Sequence, residues 1–187
     1  PMTINYSLLH APLLGAELNY FRIAPDDWEL LLVRMRQLGA TTITTAVPWS
    51  WHAPAPGMVD LHGTTQPRRD LVGFVTLCAR LGLHVILKPG PFLAAGIRGG
   101  GIPAWLFRPE IAALRPDRQP WRMSNGLSHI CVLHPIFLQA VQEWITAFSA
   151  ALTPLQSSNG SVISLQIDHQ TFGDLVDDAS PVDARFR

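Results

Sequence analysis

Residues 83–106 constrain the fold more than any other stretch of the chain. Leu83-His84-Val85-Ile86-Leu87 has the length and β-branched content of a buried strand. Pro89-Gly90-Pro91 is expected to stop it, because proline has no N–H to give to a sheet ladder. A glycine cluster follows at Gly96 and at Gly99, Gly100 and Gly101, and Pro103 then opens a short helix through Trp105 and Leu106. A buried strand that empties into a long Pro/Gly loop is how a barrel of alternating strands and helices presents a site at its carboxyl-end face. A plain structural loop with a packing tryptophan is the competing reading. Loops this long inside a compact domain are more often functional.

The remaining segments repeat the same grammar. Residues 12–21 read as a first strand with a polar, aromatic end. Pro25-Asp26-Asp27 opens a helix in which Trp28, Leu31, Leu32, Met35 and Leu38 recur at helical spacing. Gly39 ends it. Residues 41–47 are β-branched and read as a second strand, running into the loop Pro48-Trp49-Ser50-Trp51-His52-Ala53-Pro54. Residues 71–81 predict a helix with Leu71, Phe74, Val75, Cys78 and Leu81 on one face, stopped by Gly82. The strand at 83–87 is the third. After Trp105 the chain reads as irregular to about His134. Residues 135–152 predict a long helix with Phe137, Val141, Trp144, Ile145 and Phe148 on its buried side. Residues 161–167 predict a fourth strand, and 174–187 a fraying tail.

Strand and helix alternate through four strands, with decorated loops after strands and tight returns after helices. That is barrel or doubly wound α/β grammar in a single domain over 1–187. No Gly-x-Gly-x-x-Gly follows the first strand, and Gly99-Gly100-Gly101 is not closed by Gly-Lys-Ser/Thr, so neither nucleotide fingerprint is present. A partial (β/α)8 barrel of four β/α units is the expected architecture. With 187 residues, 48% of them hydrophobic, the chain can bury one sizeable core. Fourteen basic residues balance fourteen acidic ones, so no nucleic-acid or membrane-surface partner is expected. No apolar run approaches membrane-span length, and residues 1–5 do not read as a signal peptide. These observations leave the compartment open. Cys78 and Cys131 stand in apolar segments, and no His/Cys/Asp/Glu set has zinc spacing, so no metal site is expected. The abrupt start at Pro1 and end at Arg187 suggest part of a longer protein.

Several residue groups carry a family resemblance. They are Tyr20-Phe21-Arg22-Ile23 with Asp27-Trp28, Val47-Pro48-Trp49 with His52 and Pro54, and Arg69-Asp70-Leu71. Leu87-Lys88-Pro89-Gly90-Pro91-Phe92 and Gly100-Gly101-Ile102-Pro103-Ala104-Trp105-Leu106 complete the set. In order and spacing, from about Gly15 to Gly173, they resemble the start of the β-galactosidases of glycoside hydrolase family 35. The resemblance implies a TIM-barrel catalytic domain, of which this chain looks like the first four strands. It also implies retaining hydrolysis of terminal β-galactosides without metal or organic cofactor. Retaining chemistry uses two carboxyl groups about 5–5.5 Å apart, one as nucleophile and one as acid/base.

In the family the acid/base ends the fourth strand in Gln-x-Glu-Asn-Glu-Tyr-Gly, and the nucleophile ends the seventh. Here the fourth strand reads Gln166-Ile167-Asp168-His169-Gln170-Thr171-Phe172-Gly173. Gln170 stands at the acid/base position. An amide has no proton to give a leaving oxygen near neutral pH, so it cannot be a general acid. Asp168 and His169 are the substitute candidates, although consecutive strand residues point to opposite faces. Other polar positions of the family pattern are also replaced: Ala46 for tyrosine, Ser50 for asparagine, Ala53 for glutamate, and Gly96-Ile97 for Glu-Trp.

The candidate sugar-contacting residues are Tyr20, Trp49, His52, Pro91, Phe92, Gly96 and Trp105. The bland alternatives are a structural role for His52 and core packing for the tryptophans. Glu17 is a candidate pocket residue, or else the partner of a strand-end arginine. The functional expectation is a β-galactosidase-like protein, weakly active or inactive as a pseudoenzyme. The alternative is a non-catalytic carbohydrate-binding or scaffolding module on a barrel fragment. The expected partner is a β-galactoside. The expected closure of the barrel is by a second copy or by the rest of a longer chain.

Overall fold

The computed structural model describes residues 13–93, 96–122, 126–156 and 160–169, with His169 described in its backbone only. Four parallel strands form one sheet in the order β1-β2-β3-β4. They are β1 (Gly15–Glu17), β2 (Thr42–Ala46), β3 (His84–Leu93) and β4 (Val162–His169). Helix α1 (Pro25–Gln37) connects the first two strands. A one-turn helix α2 (Trp49–His52) and α3 (Leu71–Arg80) lie between β2 and β3, and α4 (Pro135–Leu152) precedes β4. This is the β/α alternation of a partial (β/α)8 barrel, with the strands in sequential order.

The register sorts the side chains. Glu17, Thr44, Ile86 and Ser164 lie side by side, as do Ala16, Ile43 and Val85. Because alternate residues face opposite ways, these are two different faces. Ile43, Val85 and Leu87 have no exposure and pack in the core with Trp28, Phe74 and Trp144 from the helices. The other face carries Glu17, Thr44, Ile86, Lys88 and Ser164. Cys78 and Cys131 are buried and not joined in a disulfide, and burial pushes the Cys78 thiol up to about 12.

The three longer helices, α1, α3 and α4, begin where their sequence says they should. Pro25 takes the first turn of α1, with Asp26 and Asp27 beside the unpaired N–H groups. Pro135 does the same for α4, capped by the His134 side chain. Asp70 caps α3, its carboxylate accepting from Gly73 N–H at 2.8 Å. Asp70→Ala is expected to cost about 1 kcal/mol. Thermal melting of this variant beside Asp70→Ser would check it, since the serine retains a capping oxygen; equal melting of all three proteins would exclude the cap.

Three segments depart from the sequence expectation. The first strand is only Gly15–Glu17, and its aromatic end is a 3-10 turn, Tyr20–Arg22. The last ladder bond is Leu18 N–H to Thr44 O. Asn19 then turns out of the sheet, its side-chain oxygen accepting from Ala46 N–H.

The second departure is at Pro89-Gly90-Pro91, which does not end β3. The strand runs on to Leu93 through a cis Gly90-Pro91 peptide. Pairing with β4 skips the prolines and resumes at Gly90↔Ile167 and Leu93↔His169, so no proline is asked for the N–H it lacks. The third departure is at Trp49–His52, which is a helical turn rather than loop.

The glycine cluster has a backbone reason. Gly99, Gly100 and Gly101 all have positive φ, and a Cβ on Gly101 would lie 3.1 Å from Leu93 Cβ. The described residues of 107–122 and 126–134 are mostly irregular, as read from the sequence, but are tied by antiparallel bridges at Ala112–Ile130, Leu114–Pro120 and Arg122–Ser128. The expected tail at 174–187 lies outside the described residues. Among those residues no helix is long and apolar enough to cross a membrane.

Candidate functional site

The carboxyl ends of the four strands bring together Glu17 and Asn19, Ala46, Lys88 with Pro91 and Phe92, and Asp168. Asp168 is the junction between the third and fourth strands. Its backbone has φ +56, and its Oδ1 accepts from Phe92 N–H at 3.0 Å. That bond spends one carboxylate oxygen on holding the segment after the cis proline. Gln166 Nε2 donates to Asp168 O at 3.3 Å. Pro91 and Phe92 are half-buried, and Gly96 is exposed with φ +64. The Phe92 ring packs on Phe137 of α4. The His169 side chain and all of Gln170 lie outside the described residues, so the structure does not place the acid/base position.

On that second face Glu17 Oε1 accepts from Asn19 Nδ2 at 3.0 Å, and Glu17 Oε2 lies 3.4 Å from Lys88 Nζ. One cation beside Glu17 is thus the strand lysine two residues past Ile86. Asn19 and Lys88 were not singled out by sequence reasoning. The signal was available, because the period of two puts Lys88 on the same face as His84 and Ile86.

Tyr20 and His52 are also brought together, beneath this face. Both are fully buried. His52 Nδ1 is 2.6 Å from Asp60 O, a carbonyl that can only accept, so Nδ1 carries the proton. Nε2 then holds a lone pair, and the Tyr20 hydroxyl donates to it at 2.5 Å. Burial lowers the His52 pKa to about 4 and raises that of Tyr20 well above its usual value, so both are neutral at pH 7. With no exposed surface, they have none to offer a ligand.

The Asp60 carboxylate, whose carbonyl anchors His52, organises the loop after α2. It accepts from the N–H groups of His62, Thr64 and Thr65 and from the Thr65 hydroxyl. Burial pushes its pKa up, but these bonds outweigh that and hold it well below the usual carboxylate range. Arg69 extends the clasp, donating from Nε to Trp51 O at 2.7 Å and lying over the Trp51 ring. Sequence reading missed Asp60. The hint was an aspartate followed by Leu-His-Gly-Thr-Thr, a pattern that invites side-chain to backbone turns.

Trp49 and Trp105 meet edge-to-face, but on the helix side of the sheet. Trp49 is 1% exposed and stacks on Trp144 of α4 with ring centroids 6.3 Å apart. Trp105, half-buried, donates its indole N–H to Ala53 O at 2.9 Å. The two rings line a shallow pocket of about 150 Å³ with Met58, Val59, Ala140 and Glu143. Among the described residues no three His, Cys, Asp or Glu side chains converge as metal ligands would.

With this geometry in hand, four similarities bear on the chain. The model of Glycosyl hydrolases family 35 matches residues 9–181. An exo-beta-D-glucosaminidase of Thermococcus kodakarensis is 41% identical over 159 residues, covering 83% of this chain and 20% of the relative. A beta-galactosidase-1-like protein of Mus musculus is 32% identical over 157 residues, covering 83% of this chain and 21% of the relative. The chain therefore spans about one fifth of the length of these curated relatives. Among solved structures, the beta-galactosidase from Marinomonas ef1 superposes with a TM-score of 0.70 at 18% identity. The match covers 93% of this chain and 24% of that one, and it shows the shared fold.

Proposed function

Because this chain belongs to glycosyl hydrolases family 35, we propose that its carboxyl-end face binds a terminal β-linked hexopyranoside without hydrolysing it efficiently. The observation that carries the reading is the convergence of strand ends. Polar groups from β1, β3 and β4 stand at the carboxyl ends of the strands, the end where barrels of this type hold their sites. The relatives carry the names of enzymes acting on β-galactosides and β-glucosaminides, which supports a β-linked hexose as the ligand class.

The weak hydrolysis rests on two residues. Gln170 occupies the acid/base position and has no proton to donate. Asp168, two residues before it in the chain, is engaged by Phe92 N–H. The nucleophile that the family resemblance places on a seventh strand is not among these four. The sheet edges, with Leu14 and Ile167 more than half exposed, are closed in this reading by further strands. Those come from a longer chain or from a second copy.

The test compares wild type with Gln170→Glu on methyl β-D-galactopyranoside, methyl β-D-glucosaminide and a nitrophenyl β-galactoside. Wild type is expected to bind a methyl glycoside, seen by ligand-observed NMR, without turning it over. If a nucleophile is in place, Gln170→Glu gains most on the methyl glycosides, whose poor leaving groups need acid assistance. Wild-type turnover of a methyl glycoside equal to that of Gln170→Glu would overturn the assignment of Gln170. Absence of binding to either methyl glycoside would overturn the carbohydrate reading.

A further inference from the structure

We propose that Asp168 is a positioning residue. Its carboxylate sets the place of Pro91 and Phe92 at the carboxyl end of β3 and does not itself meet the ligand. The inference rests on the carbohydrate reading above and names what holds two of its candidate contacts.

The register supplies the reason. Gly90 pairs with Ile167, and the next pairing is Leu93 with His169. Two residues of β3, Pro91 and Phe92, therefore stand opposite one residue of β4, Asp168. A bulge of this kind takes backbone groups out of the ladder. Pro91 has no N–H to place, but Phe92 has one, and Phe92 is half-buried. A donor so placed needs an acceptor. Asp168 supplies it from its side chain, Oδ1 accepting from Phe92 N–H at 3.0 Å. The carboxylate thus stands in for a ladder carbonyl.

The residue type meets a second demand. Asp168 has φ +56, in the left-handed region that aspartate and asparagine enter more readily than most other side chains allow. Glycine enters it freely but brings no acceptor. Across the strand from Asp168, the same segment is tied to α4. Trp144 Nε1 donates to Pro89 O at 2.9 Å, and the Phe92 ring lies on Phe137 with centroids 5.9 Å apart. Pro91 sits between these ties without a donor of its own, so its place depends on its neighbours. The bond from Phe92 to Asp168 is the tie to the next strand end.

The experiment measures affinity of the full chain for methyl β-D-galactopyranoside. The proteins are wild type, Asp168→Gly and Asp168→Asn, each with its thermal melt and the hydrogen exchange of the Phe92 amide. Asp168→Gly permits the backbone conformation and removes the acceptor. It is expected to lose about 10-fold in affinity, the scale of a hydrogen bond to a charged group. Its Phe92 amide is expected to exchange about 10-fold faster or more. Asp168→Asn keeps an oxygen for Phe92 N–H and is expected to restore affinity to within about threefold of wild type. A carboxylate that met the sugar would be missed as much in asparagine as in glycine, so equal losses in the two variants overturn the proposal. Affinity of Asp168→Gly within about twofold of wild type also overturns it, whatever the melt does, because the bond then serves the fold alone. Should Asp168→Gly not fold, Asp168→Asn decides. A loss of about 10-fold in its affinity, or a Phe92 amide as unprotected as in an unfolded chain, overturns the proposal. Each of these outcomes leaves the carbohydrate reading standing. Failure of wild type to bind the glycoside would overturn that reading and the proposal with it.

Discussion

Replacing Trp144 by alanine is expected to cost the fold about 4 kcal/mol or more, the range of large aromatic truncations in cores. Trp144 is 1% exposed on α4 and stacks on Trp49, on His52 and against Phe148. Its indole N–H donates at 2.9 Å to the carbonyl of Pro89. Alanine removes the ring and also leaves that buried carbonyl unpaired, a further penalty of about 1–3 kcal/mol. Against a typical domain stability of about 5–15 kcal/mol, this is a large fraction. Trp144→Phe keeps a ring but loses the donor, so it is expected to fall between wild type and alanine. Urea unfolding of the three proteins at constant m-value would measure the series. If Trp144→Ala unfolds within 1 kcal/mol of wild type, the indole is not what joins α4 to the third strand. The link matters for the site, because the carbonyl it holds belongs to the Pro-Gly-Pro segment carrying Pro91 and Phe92.

Between pH 7.5 and pH 4 the protein is expected to lose about 3 kcal/mol of stability through His52 alone. Burial lowers the folded pKa of this residue from its ordinary 6.5 to about 4. The unfolded chain therefore takes up a proton at a pH where the folded one does not. Above 6.5 both states are neutral, and the buried imidazole costs nothing extra. As pH falls from 6.5 towards 4, protonation stabilises the unfolded state only, and folding weakens. Below about 4 both states are charged and the dependence flattens. A gap of two and a half pKa units at 1.36 kcal/mol per unit sets the size.

The groups around the imidazole act in the same direction or stay constant in this window. Tyr20 remains neutral, and the Asp60 carboxylate, with its folded pKa below its ordinary 3.8, titrates below the window. Urea titrations at pH 7.5 and pH 4 would read the loss, with His52→Gln as the variant in which the slope flattens. Equal wild-type stability at both pH values would exclude a neutral buried His52. A slope that survives in His52→Gln would assign the effect to another group.

Much of the fold could be read from order and period. The helices at α1, α3 and α4 start within a residue of their proline or aspartate signals, because capping and first-turn chemistry are local. The second and fourth strands follow from β-branched runs. What local chemistry could not show was where pairing stops. Residues 12–21 were apolar enough for a longer strand, yet Asn19 leaves the ladder to cap Ala46 N–H, a partner supplied by β2. Pro89 and Pro91 were sound reasons to end a strand, yet β4 skips them through a register shift that no single segment encodes.

The site divides in the same way. The sequence by itself determined the four β/α units, the glycines at positive φ, the aromatic loops and the presence of Gln170 where the family resemblance expects an acid. Tertiary structure decided which of those groups share a face. It sank Tyr20 and His52 together into the core, turned Trp49 and Trp105 towards α4, and committed Asp168 to Phe92 N–H. It also set Lys88 beside Glu17 across 71 residues of chain. The physical reason is that residue type and period report only on neighbours along the chain. Burial, tautomer and charge pairing depend on which atoms the sheet and its helices bring within a few ångströms.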